Sequence, residues 1–380
     1  MMVNPNNSQL LKLVYLPGLN GLRAIAALAV VISHITLSLN EFGLNNKIFG
    51  TDKAGNASGL DLAGYGVTIF FTLSGFLITF LLLKEKELTK LKIKEFYIRR
   101  VLRIWPLYYL YFLVCLIVIV CYKITITPSS IYFYLFLAAN IPFILGTALP
   151  MLAHYWSLGV EEQFYLFFPQ IAKYSNKFLL KTSILLILVL LGLKAVFWFL
   201  DRNYDIHIPY LAISVTRFHT MFIGVVGAIL YYYKNAIFFA ISTHIITQII
   251  SWGAILLLTF NRFHIASAID GEIISVITVF LIMGQITKTN YLINLENSFC
   301  DFIGKISYGI YVVHPLLIFC FTKLVGQFNS NALINYVFIY TAITAATIIT
   351  AYLSYEFYEK QFLKLKIKYS TVKSVNTINS

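Results

Sequence analysis

An arginine and a histidine stand eleven residues apart in an otherwise apolar segment, Arg23-Ala-Ile-Ala-Ala-Leu-Ala-Val-Val-Ile-Ser-His34. In an α-helix this spacing puts both side chains on one face, about 16 Å apart along the axis. A charged group in a bilayer helix is costly, so it usually faces a cavity lined by protein or water. Histidine titrates near neutral pH and therefore suits a general base or a proton shuttle. Two simpler roles stay open: Arg23 reaching the interface, and His34 bonding another helix.

A second basic group begins a later apolar run, where Arg99 is followed by Arg100-Val-Leu-Arg103. Arg100 and Arg103 are three residues apart and therefore share a helix face. Guanidinium groups bind phosphate oxygens through paired N–H donors. Arg99 fits an ordinary basic cap on a membrane helix. Arg103 lies further into the apolar run, so it is predicted to bind phosphate.

Two carboxylates enter another apolar run, in Trp156-Ser-Leu-Gly-Val-Glu161-Glu162-Gln-Phe-Tyr165. Carboxylates inside a membrane are rare and need a partner. One of them is expected to pair with an arginine or to orient His34. Glu161 and Glu162 are about 100° apart around a helix, so they cannot both face one site squarely.

Three further groups place polar side chains in apolar runs. Tyr308, Tyr311 and His314 follow one another at spacings of three and share a helical face. They either line a substrate passage or make hydrogen bonds between helices. Ser74 lies beside a glycine, a pair that suits a helix-packing notch or a ligand contact. Arg217 is an intramembrane charge that awaits a partner.

The composition is that of a polytopic membrane protein. Of 380 residues, 59% are hydrophobic and 12% charged, which is about half the charged fraction of a soluble domain. The net charge of +13 would suggest nucleic acid in a soluble protein. Here the lysines flank apolar runs and fit an anionic cytoplasmic leaflet, so no nucleic-acid partner is expected. The histidines are scattered without HxxxH or HExxH spacing, so no metal site is predicted.

The apolar runs fall at about 16–39, 63–83, 101–121, 131–145, 155–172, 182–200, 210–233, 236–259, 272–287, 306–325 and 332–355. Most of them are long enough to cross a bilayer as helices. The basic segments 84–103 and 173–181 should both be cytoplasmic. Both can be so only if the short run 131–145, with Asn140 and Pro142, is re-entrant or peripheral. The predicted fold is therefore an all-α membrane protein with about ten transmembrane helices and both termini in the cytoplasm. Residues 1–368 are predicted to form a single transmembrane domain, and 369–380 a polar cytoplasmic tail.

These motifs together resemble the acyltransferase-3 family of integral membrane O-acyltransferases. The matches occur in family order and span nearly the whole chain. They are Leu16-Pro-Gly-Leu-Asn-Gly-Leu-Arg23 with His34 beyond it, Ile69-Phe-Phe-Thr-Leu-Ser-Gly-Phe-Leu, Arg100-Val-Leu-Arg103-Ile-Trp-Pro, Trp156-Ser-Leu-Gly-Val-Glu-Glu-Gln-Phe-Tyr and Ile306-Ser-Tyr-Gly-Ile-Tyr-Val-Val-His. The resemblance implies ten core helices and transfer of an acyl group, usually acetyl, from cytoplasmic acyl-CoA to a carbohydrate at or beyond the outer face.

The resemblance also implies roles for individual residues. His34 matches a catalytic histidine, and Glu161 matches the glutamate after Trp-Ser-Leu. Arg23, Arg100 and Arg103 match arginines that engage the donor. Acyl-CoA is implied as a co-substrate, with no tightly bound cofactor. The candidate substrate-lining residues are Ser74, Trp156, Glu162, Arg217, Tyr308, Tyr311 and His314.

One departure from the family pattern lies near the C-terminus. The family often reads Glu-Lys-Pro or Glu-Arg-Pro there, whereas Glu359-Lys360 is followed by Gln361. No role is assigned to Glu359 on this basis.

The resemblance thus implies an enzyme of the bacterial inner membrane that acylates a saccharide such as O-antigen (the glycan of lipopolysaccharide), capsule or exopolysaccharide. In this hypothesis His34 takes a proton from a sugar hydroxyl or briefly carries the acyl group, and Glu161 supports the imidazole. The main alternative is a transporter or flippase with a proton relay through His34, Glu161 and His314. The chain shows no paired inverted repeat, which transporters often have. A transferase that uses a lipid-linked donor is a second alternative.

Overall fold

The computed structural model describes residues 12–52, 54–370 and 372–374, and these are predominantly helical. The helices are α1 (Leu19–Leu37), α2 (Asp61–Leu88), α3 (Ile93–Cys121), α4 (Ser130–Leu135), α5 (Asn140–Ile144), α6 (Tyr155–Ala172), α7 (Asn176–Tyr204), α8 (His207–Thr216), α9 (Phe218–Tyr232), α10 (Ala236–Ser242), α11 (Ile245–Thr259), α12 (Asp270–Thr287), α13 (Ser298–Lys305), α14 (Ser307–Leu324), α15 (Leu333–Ser354) and α16 (Lys360–Ile367). A 3₁₀ turn (Leu39–Phe42) follows α1, and a π-helix (Tyr355–Glu359) joins α15 to α16. Near the chain ends, β1 (Lys12–Val14) pairs in parallel with β2 (Val372–Ser374). The predicted all-α class is confirmed.

Eight helical segments of the described residues are long and apolar enough to cross a membrane, so the protein is an integral membrane protein. They are α1, α2, α3, α7, α8 with α9, α12, α14, and α15 with α16. Counting α10 and α11, which are bent by 53° at their junction, as one span makes nine. The tenth predicted crossing is α6, which has 18 residues and is not in this set. Because α6 packs against α2, α3, α5, α7 and α8, its glutamates need not face lipid.

The run 131–145 forms α4 and α5, with six and five residues respectively. At about 1.5 Å per residue neither helix reaches across a bilayer. The prediction that this run does not cross is therefore confirmed. Asn140 begins α5 and exchanges hydrogen bonds with Gln163 of α6, which fixes the short helix against the bundle.

Helix α1 lies at the centre of the bundle and contacts α2, α12, α13, α14 and α15. Its small residues make this possible, because Ala26 and Ala27 are fully buried and allow neighbouring backbones to approach. A Cβ added to Gly304 of α13 would lie 2.2 Å from the carbonyl oxygen of Asn20. The first turn of α1 is thus held tightly against α13.

Candidate active site

A cavity of about 540 Å³ lies beside the first half of α1. Its walls come from α1, α2, α3, α6, α13, α14, the π-helix and α16. Seven of the residues predicted from sequence line it, namely Arg23, Ser74, Arg100, Arg103, Glu161, Tyr308 and Tyr311. Their helices are far apart in the chain, so the cavity is a product of tertiary packing.

Cationic side chains outnumber acidic ones in the lining of the cavity. Besides the three arginines, Lys305 and Lys366 line it, with Asp301 and Glu359 as acidic neighbours and Glu161 as a third acid. Neither lysine was predicted as a site residue, because lysines beside apolar runs are also what the positive-inside rule requires. No role was assigned to Glu359, because the sequence departs from the family pattern there. In the structure Glu359 ends the π-helix and lies in the cavity wall.

Arg23 is fixed by a short relay of side chains at the start of α1. Its Nη1 donates to Asn20 Oδ1 at 3.2 Å, and Asn20 Nδ2 donates to Asp301 Oδ1 at 3.2 Å. Only one guanidinium nitrogen is used in this relay, so the other donors of Arg23 remain available to an anion in the cavity. Arg100 instead lies over the ring of Tyr165, with 5.0 Å between the guanidinium carbon and the ring centre. This stacking keeps the guanidinium group within the cavity wall.

Glu161 is bonded to hydroxyl groups and not to an imidazole. Its Oε1 accepts hydrogen bonds from Ser74 Oγ, at 2.5 Å, and from the Tyr165 hydroxyl. The predicted support of His34 by Glu161 is therefore wrong, because α6 presents this carboxyl to α2. Glu161 stays a cavity residue beside Arg100.

His34 takes another histidine as its partner. His34 Nδ1 lies 2.8 Å from His314 Nε2, and the two ring centres are 4.9 Å apart. His314 is completely buried, and its Nδ1 lies 3.1 Å from the carbonyl oxygen of Ile310. A third imidazole, His154, has its ring centre 5.3 Å from that of His314. The spacing of residues along the chain does not predict this grouping of three imidazoles, because the three residues belong to different helices or loops.

Tyr311 connects the histidines to the cavity. Its side chain lines the cavity, and its ring centre lies 6.0 Å from that of His314. The hydroxyl lies 2.6 Å from Ser157 Oγ and donates to the carbonyl oxygen of His154 at 2.9 Å. Tyr308 also lines the cavity while donating to the carbonyl oxygen of Ile104. These two tyrosines therefore make hydrogen bonds between helices and also line the cavity.

Five predicted residues lie outside the cavity lining, namely His34, His314, Glu162, Arg217 and Trp156. Glu162 Oε2 accepts from Trp105 Nε1 at 2.9 Å. Arg217 donates to Thr68 Oγ1 at 3.1 Å and lies over the ring of Trp156 at 5.6 Å. The structure thus gives Glu162, Arg217 and Trp156 contacts between helices, and does not bring these three residues or the two histidines to the cavity wall.

In the described ranges, no three His, Cys, Asp or Glu side chains are grouped as metal ligands.

Comparison with known proteins identifies the family of this arrangement. A sequence profile described as an acyltransferase domain, that of the acyltransferase-3 family, matches residues 16–356. The chain belongs to the acyltransferase-3 family. The match confirms the predicted family and, with it, the enzyme class of acyltransferase.

Related proteins carry names that agree with this class. A Staphylococcus aureus (strain COL) protein, named provisionally as an O-acetyltransferase, is 31% identical over 94% of this chain and 59% of its own length. The O-acetyltransferase OatA of Staphylococcus aureus (strain NCTC 8325) is 29% identical over 93% of this chain and 58% of its own length. The chain therefore spans about three fifths of these relatives. No solved structure matches it.

Proposed function

We propose that this acyltransferase moves an acetyl group from acetyl-CoA, held in the cavity, to a hydroxyl group of an extracytoplasmic saccharide. The observation that carries the proposal is that α1 lines the cationic cavity at Arg23 and continues to His34 eleven residues later. The separation of about 16 Å along the axis is comparable to the length of a pantetheine arm. One helix can therefore place a phosphate-binding arginine, Arg23, and the base, His34, beside the same donor molecule.

The charge of the cavity suits the donor. Five cationic side chains and three acidic ones line it, and CoA carries a diphosphate and a 3′-phosphate. Arginine binds phosphate oxygens through paired donors, and a low-polarity setting strengthens each contact. The arginines lie at the ends of α1 and α3 that the positive-inside rule places in the cytoplasm, where acetyl-CoA is made.

The chemical step uses His34 as a general base. The imidazole removes the hydroxyl proton of the acceptor while the hydroxyl oxygen attacks the thioester carbonyl carbon. The C–S bond then breaks, and the CoA thiolate takes the proton from the imidazolium, so that the ester and CoA thiol are the products. Holding donor and acceptor together in one protein site supplies much of the acceleration.

The acceptor is proposed from the names of the relatives and from the predicted topology. The relatives are named O-acetyltransferases, and the predicted orientation of α1 puts His34 nearer the outer face than Arg23. Mass spectrometry of base-released acetate from surface glycans, in cells with and without the protein, tests this part. Equal acetate in both would contradict a saccharide acceptor.

A transporter with a relay through His34, Glu161 and His314 is less well supported. Such a relay needs Glu161 within reach of an imidazole, whereas its Oε1 is bonded by Ser74 and Tyr165. The two histidines are bonded to each other.

Calorimetric titration of the purified protein with acetyl-CoA tests the donor site. We expect binding, and Arg103→Ala should weaken it at least about tenfold, since one charged contact contributes about 1.5–3 kcal/mol. Arg202→Ala is the matched control, because Arg202 is exposed and lies over Trp198 at the end of α7. Absence of binding, or equal affinity of Arg103→Ala and the parent protein, would overturn the donor assignment.

A further inference from the structure

The proposed base is held by a chain of hydrogen bonds that ends on a backbone carbonyl. The chain runs from the carbonyl oxygen of Ile310 to His314 Nδ1, at 3.1 Å, and from His314 Nε2 to His34 Nδ1, at 2.8 Å. A carbonyl oxygen only accepts hydrogen bonds, so the proton of this contact belongs to His314 Nδ1. With both rings neutral, His314 Nε2 then carries a lone pair, and the proton between the rings belongs to His34 Nδ1. The remaining nitrogen, His34 Nε2, is left with a free lone pair.

From this chain we propose that His314 is a positioning residue, which holds His34 in the one neutral tautomer whose Nε2 can accept a proton. The inference rests on the proposed function, in which His34 is the base. The His314 imidazole and the Ile310 carbonyl then do for His34 what the Glu161 carboxylate was predicted to do. A neutral imidazole with the wrong tautomer would present an N–H to the acceptor hydroxyl and could not take its proton.

Local structure explains why His314 is held in this orientation. Pro315 follows it in α14, and a proline ring disrupts the helix at the carbonyl four residues earlier. The affected carbonyl is that of Tyr311, next to the carbonyl of Ile310, to which His314 Nδ1 is bonded. The ring is also packed against His154 and Tyr311, with ring centres at 5.3 and 6.0 Å. His314 therefore cannot turn to another partner without leaving its packing.

His34 and His314 are hydrogen-bonded to each other, and the titratable groups around them have other partners. Besides His34, the titratable groups whose rings pack against His314 are His154 and Tyr311. Tyr111 packs against His154, and its hydroxyl accepts from the Leu316 amide. His154 is committed elsewhere through its Nε2, which lies 3.1 Å from the Val312 carbonyl oxygen. Within the described part of the chain, no carboxylate is hydrogen-bonded to His34 or His314.

During acetyl transfer this chain of hydrogen bonds needs no further reactant. His34 Nε2 gains the hydroxyl proton, while His34 Nδ1–H continues to donate to His314 Nε2. The imidazolium returns the Nε2 proton to the departing CoA sulfur, and the starting tautomer is restored. His314 therefore acts through His34 and touches neither donor nor acceptor in this scheme.

Three substitutions of His314 separate positioning from packing. His314→Gln can place its amide oxygen where Nε2 lies and so still accept from His34. His314→Leu has similar bulk without an acceptor, and His314→Asn has an amide that is too short to reach His34. The assay is transfer of label from [14C]acetyl-CoA into the glycan of membrane vesicles that carry the protein.

We expect His314→Gln to keep kcat within about fivefold of the parent protein. His314→Leu and His314→Asn should lose about 100-fold or more in kcat, as expected for a wrong tautomer of a catalytic histidine. The KM for acetyl-CoA should stay unchanged in all three. If His314→Leu does not fold, the comparison of Gln with Asn serves alone, because both are polar amides.

Two results would overturn the inference separately from the proposed function. Equal kcat in the Gln and Asn variants, with His34→Ala inactive, would leave His34 as the base and remove the positioning role of His314. Full activity of His34→Ala would overturn the proposed function, and the role of His314 with it.

Discussion

Ser74 and Glu161 join α2 to α6 at the cavity wall, through a hydrogen bond of 2.5 Å from Ser74 Oγ to Glu161 Oε1. The Tyr165 hydroxyl donates to the same oxygen. Glu161 thus accepts two hydroxyl hydrogen bonds on the side of the cavity where Arg100 stacks over Tyr165. This contact gives both residues of the Ser74–Glu161 pair a structural task besides any contact with a ligand.

Removing the Ser74 hydroxyl should weaken the bundle and loosen the cavity wall. We expect Ser74→Ala to lower the free energy of unfolding by about 1 kcal/mol, the usual net contribution of one hydrogen bond. Thr341→Ala is the control, because the exposed Thr341 hydroxyl bonds only to carbonyls of its own helix. Thermal unfolding in detergent measures both. A Ser74→Ala protein as stable as the control would show that this contact contributes nothing.

The close packing of α2 on α9 should depend on Gly75. A Cβ there would lie 2.1 Å from the carbonyl oxygen of Met221, whereas a Cβ at Gly64 in the same helix would meet no atom within 4 Å. Gly75→Ala should therefore destabilise the protein by about 1–3 kcal/mol, as overpacking does. Gly64→Ala should be neutral or slightly stabilising, since alanine favours helix. Unfolding temperatures that rank the two variants in the opposite order would contradict the packing.

A buried ion pair between α7 and α12 should be sensitive to loss of one partner. Lys194 Nζ lies 2.7 Å from Glu272 Oε1, and His219 Nε2 lies 2.8 Å from the same oxygen. Glu272→Ala leaves the ammonium buried without its counter-charge, so we expect a loss of about 3–5 kcal/mol. Glu95→Ala, which breaks the exposed pair with Lys92, should cost less than about 1 kcal/mol. Denaturant unfolding with equal losses in both variants would argue against this burial effect.

The C-terminal helix should contribute to donor binding. Lys366 of α16 lines the cavity, while Lys364 of the same helix is exposed and does not. Lys366→Ala should raise the Kd for acetyl-CoA by about tenfold, equivalent to about 1.4 kcal/mol. Lys364→Ala should leave it unchanged. Equal Kd values for the two variants, measured calorimetrically, would remove α16 from the donor site.

The sequence predicted the arginines of the site better than the histidines. The resemblance to a known family implied that Arg23, Arg100 and Arg103 engage one donor, and all three line one cavity. A charge in a bilayer helix also needs a polar, protein-lined environment, and that requirement holds for a single helix considered alone.

The partner of His34 depends on which helices pack together. His314 lies 280 residues away in the chain, and the spacing of residues along α1 carries no information about that contact. For the same reason the expected bond from Glu161 to His34 was wrong. Trp156 and Arg217 likewise contact each other and do not line the cavity. Lys366 could not be distinguished from the other lysines beside apolar runs, which the positive-inside rule explains equally well.

The most direct test of the account is transfer of label from [14C]acetyl-CoA, supplied on the cytoplasmic side of inside-out membrane vesicles, into vesicle glycan. The parent protein should transfer label. His34→Ala should transfer none above vesicles without the protein while still binding acetyl-CoA with the parent's affinity. Transfer by His34→Ala at the parent's rate would contradict the claim that a donor gripped beside Arg23 reacts at the imidazole further along the same helix.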